Sequence, residues 1–133
     1  SATAPSDSVL NPLFNTADKA KTRAEVEALD DTNFCSAYIK LICLIKERNP
    51  KVKIVCIIGD YLTVGIQQSI HKIAAHYGAK VVDLYAVNGY NDQTYMPKHD
   101  YDPSTGKGCH PSAKAMEFIA NKIYSELGTW LEE

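Results

Sequence analysis

One histidine stands where it could do acid–base chemistry. It is His110, in the run Gly106-Lys107-Gly108-Cys109-His110-Pro111-Ser112-Ala113-Lys114-Ala115-Met116. The ring ends a polar loop and precedes an apolar helical pattern. Pro111 reads as the first helical position, where a missing N–H is harmless and φ is already set. A histidine fixed at the mouth of a loop suits a general base that meets a nucleophile brought from elsewhere in the fold. The same placement suits a structural imidazole that caps the helix. Cys109 offers a thiol beside the ring, but adjacent side chains rarely point at each other, which argues against a Cys109/His110 nucleophile pair.

The other chemical residue types carry less. His71 and His76 lie five apart on an amphipathic pattern and read as surface or boundary residues. Tyr85, Tyr90, Tyr95 and Tyr101 either line a pocket, where phenols stack on and hydrogen-bond to sugars, or pack a long loop down. Asp83 reads as a turn former at a strand end. Thr105-Gly106-Lys107-Gly108 lacks the spacing of a phosphate loop. The four cysteines, Cys35, Cys43, Cys56 and Cys109, match no zinc or Cys-x-x-Cys spacing; the first three sit in apolar segments and read as small core residues. No metal and no cofactor is expected.

These residues need elements to position them. Residues 1–18 are rich in Ser, Thr, Asp, Asn and Pro and read as loop, and Lys19–Leu29 as a short exposed helix. Asp31 or Thr32 would cap a stronger helix ending near Arg48, with Phe34, Ala37, Tyr38, Leu41, Ile42 and Ile45 as its apolar stripe. Val52–Ile58 is almost wholly apolar and β-branched, as in a parallel strand buried on both faces. Gly65–Tyr77 reads as helix with Ile66, Ile70, Ile73 and Ala74 inward and Gly78 as its cap. Lys80–Tyr85 reads as a second buried strand, 86–109 as a polar loop, and Pro111 to Gly128 as a final helix with Ala115, Phe118, Ile119, Lys122 and Ile123 on one side. Right-handed crossovers would make the strands parallel.

At 133 residues, 45% hydrophobic and 23% charged, the chain suits one globular domain, 1–133, with loop and short helix over 1–31 and an α/β portion over 32–133. A net charge of −2 gives no footprint for nucleic acid, and no apolar run has the roughly 20 residues of a membrane span. Two buried strands are too few for a sheet covered on both faces. Either a third strand lies in the loops or further chain completes the sheet, and the second is the expectation here. The start at Ser1, without Met, fits the removal of something upstream.

His110-Pro111-Ser112 followed by a small residue and an apolar helix resembles the last motif block of SGNH (GDSL-type) serine hydrolases. Phe34–Arg48 with Asn49-Pro50-Lys51-Val52-Lys53-Ile54-Val55 resembles the helix and strand after that family's Gly-x-Asn-Asp block. Ile73-Ala74-Ala75-His76-Tyr77-Gly78 with Val81-Val82-Asp83-Leu84 resembles its next pair. The likeness covers about residues 33–127 and the C-terminal part of the family domain. It implies a flavodoxin-like three-layer α/β/α fold with a parallel sheet, here incomplete. It also implies hydrolysis of small acyl esters or acylated carbohydrate by a serine nucleophile with a histidine base. Only His110 transfers onto this chain; the Ser, Gly and Asn blocks have no counterpart, so the chain alone should be inactive. It would pair with its N-terminal portion or with itself, and an extracytoplasmic place follows from the resemblance only.

Two departures matter. The family often has an aspartate three residues before the histidine, and Lys107 stands there. The site is then a Ser/His dyad, or Asp100, Asp102 or a backbone carbonyl orients the ring. Ile57-Ile58-Gly59-Asp60-Tyr61-Leu62-Thr63-Val64-Gly65 resembles the family's first block, but Tyr61 holds the nucleophile position and its hydroxyl lies too far from the backbone. The competing reading is a non-catalytic flavodoxin-like binding module.

Overall fold

The structure is a computed structural model and describes residues 5–59, 62–84, 97–106 and 108–133. Tyr85, Tyr90, Tyr95, Asp60, Tyr61 and Lys107 lie outside the described residues. The described chain is mixed α/β, mostly helical, with a two-stranded parallel sheet. It divides into two compact units, residues 5–56 with 62–81, and residues 57–59 with 82–84, 97–106 and 108–133.

The first unit opens on a helix where the sequence reads as loop. Helix α1 spans Asp7–Lys19 and buries Leu10, Phe14 and Ala17. Those residues recur at i, i+4 and i+7, one helical face. The polar residues between them hide the period, and Pro12, six residues in, cannot donate to the carbonyl of Ser8. Helix α2, Arg23–Glu27, is shorter than the pattern suggests. It starts at a reciprocal capping box, in which Glu25 N–H donates to Thr22 Oγ1 at 3.2 Å and Thr22 N–H to Glu25 Oε2 at 3.1 Å. It is also less exposed than expected, because Val26 is buried.

Helix α3, Phe34–Arg48, is capped by Asn33 rather than Asp31 or Thr32. Ser36 N–H donates to Asn33 Oδ1, and Asn33 N–H reaches back to Ser36 Oγ. Its buried face is Ser36, Ile39 and Ile42, whereas Phe34, Leu41 and Ile45 of the expected stripe are exposed. The face is rotated because α1 and α2, one of them unforeseen, both pack on α3. The core joins Leu10, Phe14, Ala17, Ile39, Ile42 and Ile73. Helix α4, Val64–Tyr77, supplies Ile73 and is capped by Thr63. Gly78 ends it at φ 68°, with Ala79 N–H returning to Ala74 O at 2.9 Å, a left-handed cap that suits glycine.

Strand β1 is Val55–Ile58 and β2 is Lys80–Asp83. Lys80 N–H donates to Ile54 O and Leu84 N–H to Ile58 O, so the register advances in parallel along both strands. Burial on both faces is not what β1 shows: Cys56 and Ile58 are buried, and Ile57 between them is 48% exposed.

In the second unit helix α5 spans Ala113–Leu127 and a 3₁₀ turn, Gly128–Glu132, follows. The helix starts after Pro111, not on it. Ser112 is the cap, and its Oγ accepts from Ala115 N–H at 3.2 Å. Pro111 instead pairs with Lys98 in an antiparallel bridge. Among the described residues no helix is long and apolar enough to cross a membrane.

Candidate functional site

Among the described residues, two segments about ten residues apart form the surroundings of His110. Ser112 N–H donates to Pro97 O at 2.9 Å and His99 N–H to His110 O at 3.1 Å, on either side of the Lys98–Pro111 bridge. This short antiparallel ladder sets residues 97–100 alongside 108–112. Between them the chain turns at Asp102, whose carbonyl accepts from Gly106 N–H at 2.8 Å, with Gly106 at φ 66°.

The ladder delivers Asp100 to His110. Asp100 Oδ1 accepts the backbone N–H groups of Cys109 and His110, each at 3.0 Å, and Oδ2 lies 2.7 Å from His110 Nδ1. The side chain of His110 is 65% exposed. Backbone donation by His110, then by Cys109, with help from both side chains, holds the Asp100 carboxyl well below the usual carboxylate range against its partial desolvation. An ionised carboxylate only accepts hydrogen bonds. An Nδ1–H that donates to Oδ2 leaves Nε2 as the acceptor, the arrangement that a general base needs.

Asp102, the other acid considered for this role, is turned away from the ring. Its Oδ1 accepts from Ser104 N–H at 2.9 Å and Ser104 Oγ–H at 2.7 Å, which builds the turn. Gly108 is needed where the strands meet: a Cβ there would lie 2.8 Å from Tyr101 Cα and 3.0 Å from Tyr101 N. Tyr101 is exposed.

Two features escape the sequence. Cys109 does face its neighbour, with Sγ 3.3 Å from His110 Nδ1 and 3.3 Å from Asp100 Oδ2. The common carboxylate draws both side chains to one side, against the usual divergence of adjacent residues. His99 stacks beside His110, with ring centroids 5.3 Å apart and planes 18° off parallel; its place opposite His110 in the ladder is the only signal, and that needs the pairing to be known. His76 takes part elsewhere, 2.9 Å from Asp18 Oδ2 and stacked on Phe14 at 3.9 Å, in the helical unit, and His71 is exposed on α4.

Asp100, Cys109 and His110 each place one potential metal-ligating atom within 4.8 Å of the others. No fixed motif spacing announces this set, since Asp100 lies ten residues before His110. Compared with known protein families, curated proteins and solved structures, the chain matches none.

Proposed function

We propose that this chain is the C-terminal portion of an SGNH-type acyl-ester hydrolase, built on a flavodoxin-like three-layer α/β/α framework, with His110 as general base. The observation that carries the reading is the 2.7 Å contact between Asp100 Oδ2 and His110 Nδ1 beside an exposed ring. It supplies the orienting acid that Lys107 at the usual position does not. In this reading a serine outside the 133 residues attacks the ester carbonyl. His110 Nε2 accepts the serine proton and returns it to the leaving alcohol, while Asp100 stabilises the imidazolium formed between the two steps. The substrate class is a small ester or acylated carbohydrate.

The test joins the chain to the coding sequence that precedes Ser1 and assays a chromogenic ester and a fluorophosphonate probe. The expected result is one labelled serine in a Gly-Asp-Ser block, turnover lowered by about three orders of magnitude or more in His110→Ala, and a smaller loss in Asp100→Asn. The 133 residues alone should label no serine stoichiometrically. A joined protein with no such block, or a His110→Ala variant with full turnover, overturns the reading and favours a non-catalytic binding module.

A further inference from the structure

We infer that Asp100, Cys109 and His110 form a binding site for a divalent cation of the zinc class, supplying three ligands among the described residues. The donor set is carboxylate oxygen, thiolate sulfur and imidazole nitrogen, the mixed ligands that zinc accepts. The donor atoms are already gathered. Cys109 Sγ is 3.3 Å from both His110 Nδ1 and Asp100 Oδ2, and those two are 2.7 Å apart. Tetrahedral zinc with bonds of about 2.0 Å to N and O and 2.3 Å to S separates its ligands by about 3.3–3.6 Å. The two sulfur distances are close to that range, and the N–O pair must open by about 0.6 Å.

The surroundings suit a cation better than a bare thiol nucleophile. A thiolate 3.3 Å from the Asp100 carboxylate places two negative charges side by side. A dication between them would remove that repulsion. Oδ1 is occupied by the backbone N–H groups of Cys109 and His110. Those bonds, with a longer one from Cys109 N–H to Oδ2 at 3.2 Å, fix the carboxylate plane, the kind of outer support that metal carboxylates use. All three residues are exposed, so an ion can reach them from solvent. On binding, the Cys109 thiol proton passes to solvent, and a His110 ring bound through Nδ1 carries its proton on Nε2.

The inference does not rest on the hydrolase reading. In the joined enzyme the cation would remove His110 from base duty, so zinc would inhibit ester turnover.

The experiment titrates the tag-free chain with Co²⁺ and then Zn²⁺, following the thiolate-to-cobalt charge-transfer absorption and the ¹⁵N shifts of the His110 ring. The expected result is one equivalent bound, a charge-transfer band displaced by Zn²⁺, and the His110 ring proton on Nε2. Cys109→Ser should abolish the band, and Asp100→Asn and His110→Gln should weaken binding by at least about 10-fold. His76→Ala, which touches the separate His76–Asp18 pair, should leave binding unchanged. No charge-transfer band, or a band that survives Cys109→Ser, overturns the inference. So does metal that perturbs the His71 and His76 resonances and spares His110. Because this readout uses the chain without a substrate, its failure is distinct from failure of the ester assay.

Discussion

At the scale of single residues, the behaviour of the site turns on Asp100. A carboxyl whose folded value is depressed contributes stability above its unfolded value, near 3.9, and loses it as pH falls toward the folded value. Asp100 is held down first by the His110 N–H. Acidification should therefore release the Cys109 and His110 amides only once pH falls well below the usual carboxylate range. An amide-resolved pH titration checks this. Asp100→Asn should remove the transition, and amides that stay unshifted in the native protein would show that the carboxylate does not hold them. Gly108 gives a second test. Its absent Cβ faces the Tyr101 backbone, which cannot yield as a flexible side chain would, so Gly108→Ala should separate the two segments and abolish the His110–Asp100 contact. Gly106→Asn should leave it, because a left-handed φ with nothing near the Cβ position tolerates asparagine. Ring-nitrogen NMR of His110 in the two variants distinguishes these outcomes; loss of the contact in both would implicate the turn rather than the close approach.

At the scale of elements, α1 is where stability can be tested and where the sequence is hardest to read. Leu10 is 1% exposed and Val9 beside it 54%. Leu10→Ala should cost about 2–4 kcal/mol, roughly 6–15 °C in melting temperature, and Val9→Ala no more than about 0.5 kcal/mol. Equal effects in thermal melts would return residues 7–19 to loop. The sequence hides α1 because polar spacers and Pro12 outweigh an apolar face of only a few residues, and tertiary packing decides the matter. Helices α3 and α4 are legible from their long apolar periods and from Asn49-Pro50 and Gly78 at their ends. Which face of α3 is buried is not, since that depends on partners. The strands are legible from β-branched runs, and their parallel pairing from the helix between them. Around His110, its accessibility and the need for an oxygen partner are legible. The choice of Asp100 over Asp102 is set by hydrogen bonds between two segments, which no local pattern encodes.

At the scale of the whole molecule, the described residues form a sheet of two strands. Two strands make too little sheet to be stable without covering elements, and Ile57 leaves an apolar side chain on the solvent side of β1. Isolated exposed apolar residues are ordinary; under the proposed reading, further strands or a second copy would pack there. Sedimentation equilibrium should show a mass that rises with concentration, and Ile57→Lys should suppress the rise. A compact monomer at every concentration would remove the case for an absent portion of sheet.

The ladder that joins Pro97 and His99 to Ser112 and His110 fixes the geometry at its two rails, so the exposed turn between them is free to change length. Doubling such a turn costs only about 0.6 kcal/mol in closure entropy. Insertions near residues 103–105 should leave the acid and the ring in register. An acid brought to its histidine in this way has no characteristic offset along the chain, so a search for a fixed interval between the two passes over it, even where the side chains meet at 2.7 Å.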